Sequence, residues 1–349
     1  MRSRLGLLFF APLLSLATVS AQQLLPVHPP AKVDNGTIHL DVVTTVKGGG
    51  PPFGGLQEKD FTLLDNKNPQ PITSFRAIGS EEVPVETIIL VDSVNTNYSN
   101  VAYIRDQIDK VLHANGGKLD HPTALAFLSD DGVKLQNGFS KDGNALSASL
   151  DSYSIGLRTL RRSSGFYGAD DRFQISLTAL HQIAAHEATV PGRKLILWVS
   201  PGWPILSGPG IELDSKQEQG IFNDIVSLST QLRENRITLY AVNPLGTAEG
   251  VGRSTYYEEF LKGVSKPSQV NIGNLSLQVL AAQSGGLVAD ASNDISALLK
   301  RCLEDTTAYY EITFKAAPAE RANEYHHIEI KLSRPELVAR TRDGYYSQP

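Results

Sequence analysis

Ser200 is the residue of this sequence that most resembles a catalytic nucleophile, because it directly follows an apolar run ending at Val199. In a serine hydrolase such a serine lies on a strained turn between glycines, and neighbouring backbone N–H groups stabilise the oxyanion. Here the first glycine is missing, and Pro201 lacks the N–H group that an oxyanion hole would use. A secreted serine hydrolase using Ser200 is therefore the least favoured alternative.

The histidines and glycines also lack catalytic spacing. His181 and His186 are five residues apart on a predicted helix, so they do not share a face. His326 and His327 are adjacent in a predicted strand and face opposite sides, so they cannot chelate one ion together. The glycines at 48–50 are followed by neither a lysine nor a helix start, as a phosphate loop would require. We therefore expect no enzyme activity.

The charge and cysteine content restrict the partners and the source of stability. The 349 residues include 32 Lys and Arg against 37 Asp and Glu, with a net charge of -5 and no basic block. Nucleic acids and anionic membrane surfaces need clustered basic residues, so neither is an expected partner. The single cysteine, Cys302, lies on the apolar stripe of a predicted helix, which predicts a buried, inert thiol and no internal disulfide.

The first 21 residues have the pattern of an export signal. Arg2 and Arg4 precede an apolar stretch, and small residues before position 22 provide a cleavage site. The alternative is an uncleaved membrane anchor, but the apolar stretch is short for a bilayer span, which needs about 20 residues. We expect residues 1–21 to be removed and the protein to be exported, either to the periplasm or outside the cell, with no membrane span after cleavage.

Between residues 84 and 306, short apolar runs alternate with amphipathic helical patterns. This alternation predicts an α/β domain with a doubly wound, mostly parallel sheet covered by helices on both faces. Residues 86–91 and 194–199 read as central strands, because they lack polar interruption. A turn signal between 124–128 and 133–139 predicts a hairpin, and hence one antiparallel edge strand.

Both ends of the chain show a period of two rather than a helical period. Residues 38–43, 310–315 and 328–333 alternate between apolar and polar side chains, as half-exposed strands do. We expect 30–80 and 307–349 to pair into one small all-β domain. The α/β domain, residues 84–306, would then be inserted into it, which is plausible because domain termini commonly lie close together.

In an open parallel sheet, ligands bind where strands end, so residues 92–97 are the first candidates for a site. Here the sequence resembles the von Willebrand factor type A family, whose first strand ends in Asp-x-Ser-x-Ser. That pattern begins a metal-ion-dependent adhesion site, in which hard oxygen ligands hold Mg²⁺ or Mn²⁺. In this chain Asp92 and Thr96 match the first and last positions, but Val94 replaces the middle hydroxyl.

The resemblance implies a degenerate metal site. Pro201 stands near the position of the family's last aspartate, and 168–171 replaces its loop threonine. The remaining possible ligands are Asp92, Asn95, Thr96 and Asp171. A weakly bound Mg²⁺ or Mn²⁺ is one hypothesis. The other is that Asp92 orders a loop and no cofactor is bound.

The wider sequence is similar to type A-related proteins exported by Acidobacteria. The similarity rests on a Gly-Leu-x-x-x-Asp-Phe pattern at 55–61, on residues 71–75 and on the strand at 192–200. It implies a vWA-like fold and an exported, non-enzymatic interaction or adhesion-type module. The partner would be a protein or a cell-envelope ligand.

The stretch from Tyr153 to Asp171 shows no clear periodicity, and we interpret it as a loop. Its aromatic and arginine content is typical of an interface, although a solvated linker is the alternative. The candidate partner-binding residues are Tyr153, Arg158, Arg161, Arg162, Phe166 and Tyr167.

Overall fold

The computed structural model describes residues 36–79, 85–154, 165–204, 212–245 and 256–349. The predicted export signal lies outside these ranges. The strands are β1 (Thr37–Val46), β2 (Phe61–Asp65), β3 (Asn68–Gln70), β4 (Ile72–Gly79), β5 (Glu86–Asp92), β6 (Lys118–Ser129), β7 (Gly132–Leu135), β8 (Ser140–Asp142), β9 (Lys194–Val199), β10 (Ile237–Val242), β11 (Val288–Ala289), β12 (Ala308–Lys315), β13 (Glu324–Leu332), β14 (Leu337–Arg340) and β15 (Gly344–Ser347).

The α-helices of the described ranges are α1 (Tyr98–Leu112), α2 (Gly143–Ser154), α3 (Gly165–Glu187), α4 (Ser215–Glu234), α5 (Leu277–Gln283) and α6 (Ile295–Glu304). None of these helices combines the length and the apolar character needed to cross a bilayer.

The central sheet is mixed but mostly parallel. Its strand order is β11-β10-β9-β5-β6-β7, and β8 also pairs with β6. The first five strands of that order are parallel to one another, whereas β7 and β8 are antiparallel to β6. This is the doubly wound arrangement, in which strand order reverses beside the first strand. The predicted mostly parallel sheet and its antiparallel edge strand are confirmed, and the short strand β8 is an addition.

Alternate residues of the central strands enter two separate cores. Ile88 and Leu90 of β5 pack with apolar residues of α3, α4 and α5, whereas Ile89 and Val91 pack with those of α1, α2 and α6. Every residue of β9 is buried. A strand covered by helices on both faces must be apolar throughout, which explains the uninterrupted runs in the sequence.

The two ends of the chain form two antiparallel four-stranded sheets. One has the order β14-β1-β12-β4 and the other β15-β13-β2-β3. A third core fills the space between them, with Ile38 and Leu40 of β1 and Ile312 and Phe314 of β12 among its members. Because side chains alternate along a strand, the neighbouring polar residues face outward.

The interpretation of 153–171 as a loop is wrong at both of its described ends. Helix α2 continues to Ser154, and α3 begins at Gly165. In the first turns of α3, Gly168 is buried and Ala169 is half-buried, whereas Tyr167 and Asp171 are exposed. Helix formation at this point follows from packing of the later turns, which begins with Phe173.

Cys302 lies on the buried face of α6, as predicted. The thiol is buried and unpaired with any other cysteine. Burial raises the pKa of the Cys302 thiol far above its ordinary value, so the thiolate form needed for reaction is disfavoured.

Ion pairs join the amino edge of the central sheet to the terminal sheets. Arg236, which precedes β10, bonds to Asp41 of β1 and, at 2.6 Å, to Glu311 of β12. Arg193, which precedes β9, donates to the carbonyl of Asp305 at 2.8 Å and stacks over the Tyr309 ring at 4.4 Å. The strands that begin at this edge are therefore held against the terminal sheets by partly buried charges.

Asp305 is the centre of a second cluster at the same edge. Its carboxylate accepts hydrogen bonds from the Tyr240 hydroxyl and from the Arg340 guanidinium of β14. Burial alone would lower the pKa of Arg340, but Asp305 and Tyr240 raise it above its ordinary value. The pair is therefore stabilised in its charged form.

Candidate functional site

Asp92 is the last residue of β5 and is completely buried at the carboxyl edge of the sheet. Its Oδ1 accepts hydrogen bonds from the backbone N–H groups of Val94 and Asn95, both at 2.9 Å. Its Oδ2 accepts from the Asn95 side chain at 2.8 Å and from the Trp198 indole N–H at 3.0 Å. Four protein donors therefore surround this carboxylate.

Val94 explains why the loop after β5 takes this shape. Its side chain is fully buried in the core beneath α3, α4 and α5. Drawing Val94 inward places its own N–H and that of Asn95 against Asp92, in the manner of an Asx turn. The residue that removes a metal-binding hydroxyl from the motif thus contributes to packing.

Asn95 connects the loop to α3. Its side-chain amide donates a second hydrogen bond, at 2.8 Å, to the hydroxyl of Ser176. That hydroxyl in turn donates to the carbonyl of Arg172, one turn earlier in the helix. The Asn95 Oδ1 is buried and has no hydrogen-bond partner among the described residues. Thr96 is also buried, with 2% of its surface exposed.

Of the four predicted metal ligands, Asp92 and Asn95 contact each other and Thr96 is the next residue of the same loop, whereas Asp171 belongs to α3. Asp171 lies on the exposed surface of α3, five residues and about 140° around the helix from Ser176, which faces Asn95. A cation at Asp92 would have to displace at least one of the four donors. Within the described ranges, no three His, Cys, Asp or Glu side chains are placed to hold a metal ion. The geometry suits ordering of the loop better than it suits a cation.

Ser200 is 1% exposed, whereas a nucleophile must be open to its substrate. Its hydroxyl accepts a hydrogen bond from the Gly202 N–H at 3.2 Å. Gln278 donates to the carbonyl of Pro201 at 3.3 Å and fixes the same turn to α5. Gly202 has a φ of 111°, and an added Cβ would lie 2.4 Å from Gln278 Nε2, so only glycine fits. These contacts give Ser200 a structural role in the turn.

An aromatic cluster lies beneath this edge. The rings of Trp198 and Trp203 are 5.2 Å apart, and Phe173 of α3 contacts Trp203 with its ring centre 6.4 Å away. Trp203 is 3% exposed. Burial raises the pKa of Asp290, which follows β11 at the same edge. The edge therefore combines a rigid apolar base with a half-buried carboxyl.

Trp198 and Ser176 were not among the predicted site residues. The apolar run at 194–199 predicted Trp198 only as a core residue of a buried strand. A buried indole N–H nevertheless needs a hydrogen-bond acceptor. Leu90 is its register partner on the neighbouring strand β5, and Asp92 lies two residues further along on the same face. Parallel pairing of the two apolar runs would have suggested the contact. Ser176 carried no such signal, because its contact with Asn95 depends on how α3 packs against the loop after β5.

The predicted partner-binding residues fall into two groups. Arg158, Arg161 and Arg162 lie outside the described residues. Tyr153 belongs to the last turn of α2, and Phe166 and Tyr167 belong to the first turn of α3.

Tyr167 is 80% exposed. It precedes Ser176 by nine residues, which corresponds to roughly 13 Å along a helix axis. Because Ser176 contacts the loop after β5, the first turn of α3 extends past the carboxyl edge. Tyr167 is therefore an exposed aromatic side chain beside the predicted site.

Comparisons with known proteins give only distant similarities. No family model matches the chain, and no curated protein matches it. Among solved structures, manganese-loaded TRAP protein of Plasmodium vivax is 9% identical, with a TM-score of 0.37 over 78% of this chain and 98% of that one. The TFIIH p34 N-terminal domain is 13% identical, with a TM-score of 0.31 over 64% and 99%. The pilus adhesin SpaC of Lactobacillus rhamnosus GG is 9% identical, with a TM-score of 0.36 over 85% and 49%.

Proposed function

We propose that this protein is an exported, non-enzymatic interaction module of vWA-like fold. Its partner surface is the carboxyl edge of the central sheet together with the first turn of α3. The observation that carries this proposal is Tyr167, which is 80% exposed beside that edge. Tyrosine is enriched in protein interfaces, because it buries a large, rigid area with little loss of conformational entropy.

The class of ligand is inferred from the charge pattern of the sequence, including the residues near Tyr167. The chain has no basic block for a nucleic acid, so the partner is a protein or a cell-envelope ligand. The arginines at 158, 161 and 162 lie close to Tyr167 in sequence and favour a partner with acidic groups. Export is inferred from the leader-like pattern of residues 1–21.

Binding in this proposal needs no cation and no catalytic group. The Asp92 carboxylate already accepts four hydrogen bonds, and the Ser200 hydroxyl is buried in a turn. Mg²⁺ or Mn²⁺ held by Asp92, Asn95, Thr96 and Asp171 would require this network to open. The cation-dependent module is therefore the less favoured alternative.

The test compares two tyrosines of the same protein. Tyr167→Ala removes the exposed ring beside the carboxyl edge. Tyr103→Ala removes a 44% exposed ring from α1, which covers the opposite face of the sheet. Each variant is immobilised and exposed to a cell-envelope extract of the source organism, with millimolar Mg²⁺ or with EDTA.

We expect Tyr167→Ala to capture roughly tenfold less material than the wild type in both buffers. Tyr103→Ala should capture the same amount as the wild type. Equal capture by Tyr167→Ala would refute the proposed surface. Capture that EDTA abolishes would favour the cation-dependent alternative. A serine-directed fluorophosphonate probe that labels the wild type but not Ser200→Ala would refute the non-enzymatic assignment.

A further inference from the structure

A small polar cavity lies between the amino edge of the central sheet and the terminal sheets. It is lined by Arg233 of α4, by Arg236 and Thr238 at the start of β10, by Asp41 of β1, and by Thr341 and Arg342 after β14. Three guanidinium groups and one carboxylate thus face the same space. The space accommodates about one water-sized sphere.

Two of these arginines have carboxylate partners. Arg236 pairs with Asp41 and Glu311. Arg233 pairs at 3.1 Å with the neighbouring Glu234.

Arg342 differs from both. It is 7% exposed, and its one described hydrogen bond is a long one, 3.5 Å, to the carbonyl of Ser229. Among the described residues, no carboxylate lies within ion-pair distance of its guanidinium.

The surroundings of Arg342 disfavour its positive charge. Burial and then the nearby Arg233 lower the pKa of Arg342 to about 9, although Asp41 and Asp343 act in the opposite direction. A buried charge without a partner is expensive, and proteins normally supply a counter-charge. The adjacent Thr341 also has a buried hydroxyl with no hydrogen-bond partner among the described residues. One cation and one hydroxyl donor are therefore left uncompensated at the same cavity.

We propose that this cavity binds a small monovalent inorganic anion of the size of chloride, held by the guanidinium groups of Arg342 and Arg233 and by the Thr341 hydroxyl. The small free space favours a monatomic anion over phosphate, nucleotides and organic acids. A water molecule would fit and could satisfy Thr341, but it would leave the Arg342 guanidinium without a counter-charge in direct contact. The bound anion connects the end of α4 to the chain after β14, so it ties the central sheet to the terminal sheets.

A ligand that binds the folded protein alone raises its melting temperature by mass action. The test measures thermal unfolding of the wild type at constant ionic strength while sodium chloride replaces sodium gluconate, whose anion is too large for the cavity. We expect the melting temperature to rise by about 2–4 °C and then to saturate. Arg342→Gln should abolish this rise. The control Arg334→Gln changes an exposed arginine over the Phe53 ring and should keep it.

Equal melting temperatures in the two salts, or the same chloride response in Arg342→Gln, would overturn the proposal. If Arg342→Gln does not fold, a crystal of the wild type grown in bromide decides the question. An anomalous peak in contact with Arg342 and Thr341 supports the site. A featureless cavity, or one holding only water, refutes it.

Discussion

The two edges of the central sheet use buried polar side chains in different ways. At the amino edge, Arg236 and Asp305 bond to residues of the terminal sheets. At the carboxyl edge, Asp92 bonds to its own loop and to the neighbouring strand β9. The first arrangement joins sheets, whereas the second makes one loop rigid and leaves Tyr167 exposed beside it. We propose that the amino edge mainly stabilises the fold and that the carboxyl edge presents the partner surface.

Removing the Asp305 carboxylate should have the largest effect on stability. Asp305→Ala leaves the Arg340 guanidinium and the Tyr240 hydroxyl without their acceptor. We expect a loss of about 4 kcal/mol in the free energy of unfolding, measured in urea. Asp151→Ala is the control, because Asp151 forms an exposed ion pair with Arg105 and should cost less than about 1 kcal/mol. Similar losses in the two variants would contradict the structural role of the amino edge.

Asp92→Ala tests the carboxyl edge in the same way. The Trp198 indole N–H and the Asn95 amide would lose a buried acceptor. Unsatisfied buried donors are expensive, so we expect a loss of about 3 kcal/mol. Asp92→Asn retains one oxygen and should lose about half as much. A loss below about 0.5 kcal/mol for Asp92→Ala would mean that the network does not hold the loop.

The pH dependence of the free energy of unfolding tests the contact between the amino edge and the terminal sheets, where Asp343 follows β14. Burial raises the pKa of Asp343 to about 6. A carboxyl group with a raised folded-state pKa favours the folded protein when it is protonated, and the advantage is lost as the pH rises through 6. Asp343→Asn should therefore add about 1 kcal/mol of stability at pH 8 and nothing below about pH 4. Urea unfolding at both pH values checks this, and an equal gain at the two would refute it.

Tyr167→Ala should have the smallest effect on stability. The side chain is 80% exposed, and surface substitutions of this kind change the free energy of unfolding by about 0.5 kcal/mol or less. Urea unfolding of this variant separates a lost interaction surface from a lost fold. A destabilisation above about 1 kcal/mol, twice the usual effect of a surface substitution, would mean that Tyr167 packs in the fold and does not belong to the partner surface.

Much of the fold followed from periodicity. The uninterrupted apolar run of β9 and the turn at 129–132 predicted the parallel strands and the antiparallel edge. The start of α3 was not predicted, because residues 153–171 show no clear apolar periodicity. A helix held by the packing of its later turns leaves no local signal in its earlier ones.

The site was predictable in its position but not in its contacts. The rule that ligands bind at the carboxyl edge singled out Asp92 and Asn95. The bonds from Trp198 and Ser176 depend on strand order and on helix placement, which no single segment contains. The cavity beside Arg342 could not be predicted from the sequence either. Its lining residues come from four separate segments, namely α4, β1, β10 and the chain after β14.

We propose that protein donors, and not a cation, complete the surroundings of Asp92. The most direct test is thermal unfolding of the wild type and of Asp92→Asn in millimolar Mg²⁺ or Mn²⁺ and in EDTA. We predict that the wild type has the same melting temperature in all three solutions and that Asp92→Asn, although less stable, is equally insensitive. A melting temperature that rises with the cation in the wild type, and does not rise in Asp92→Asn, would contradict the claim.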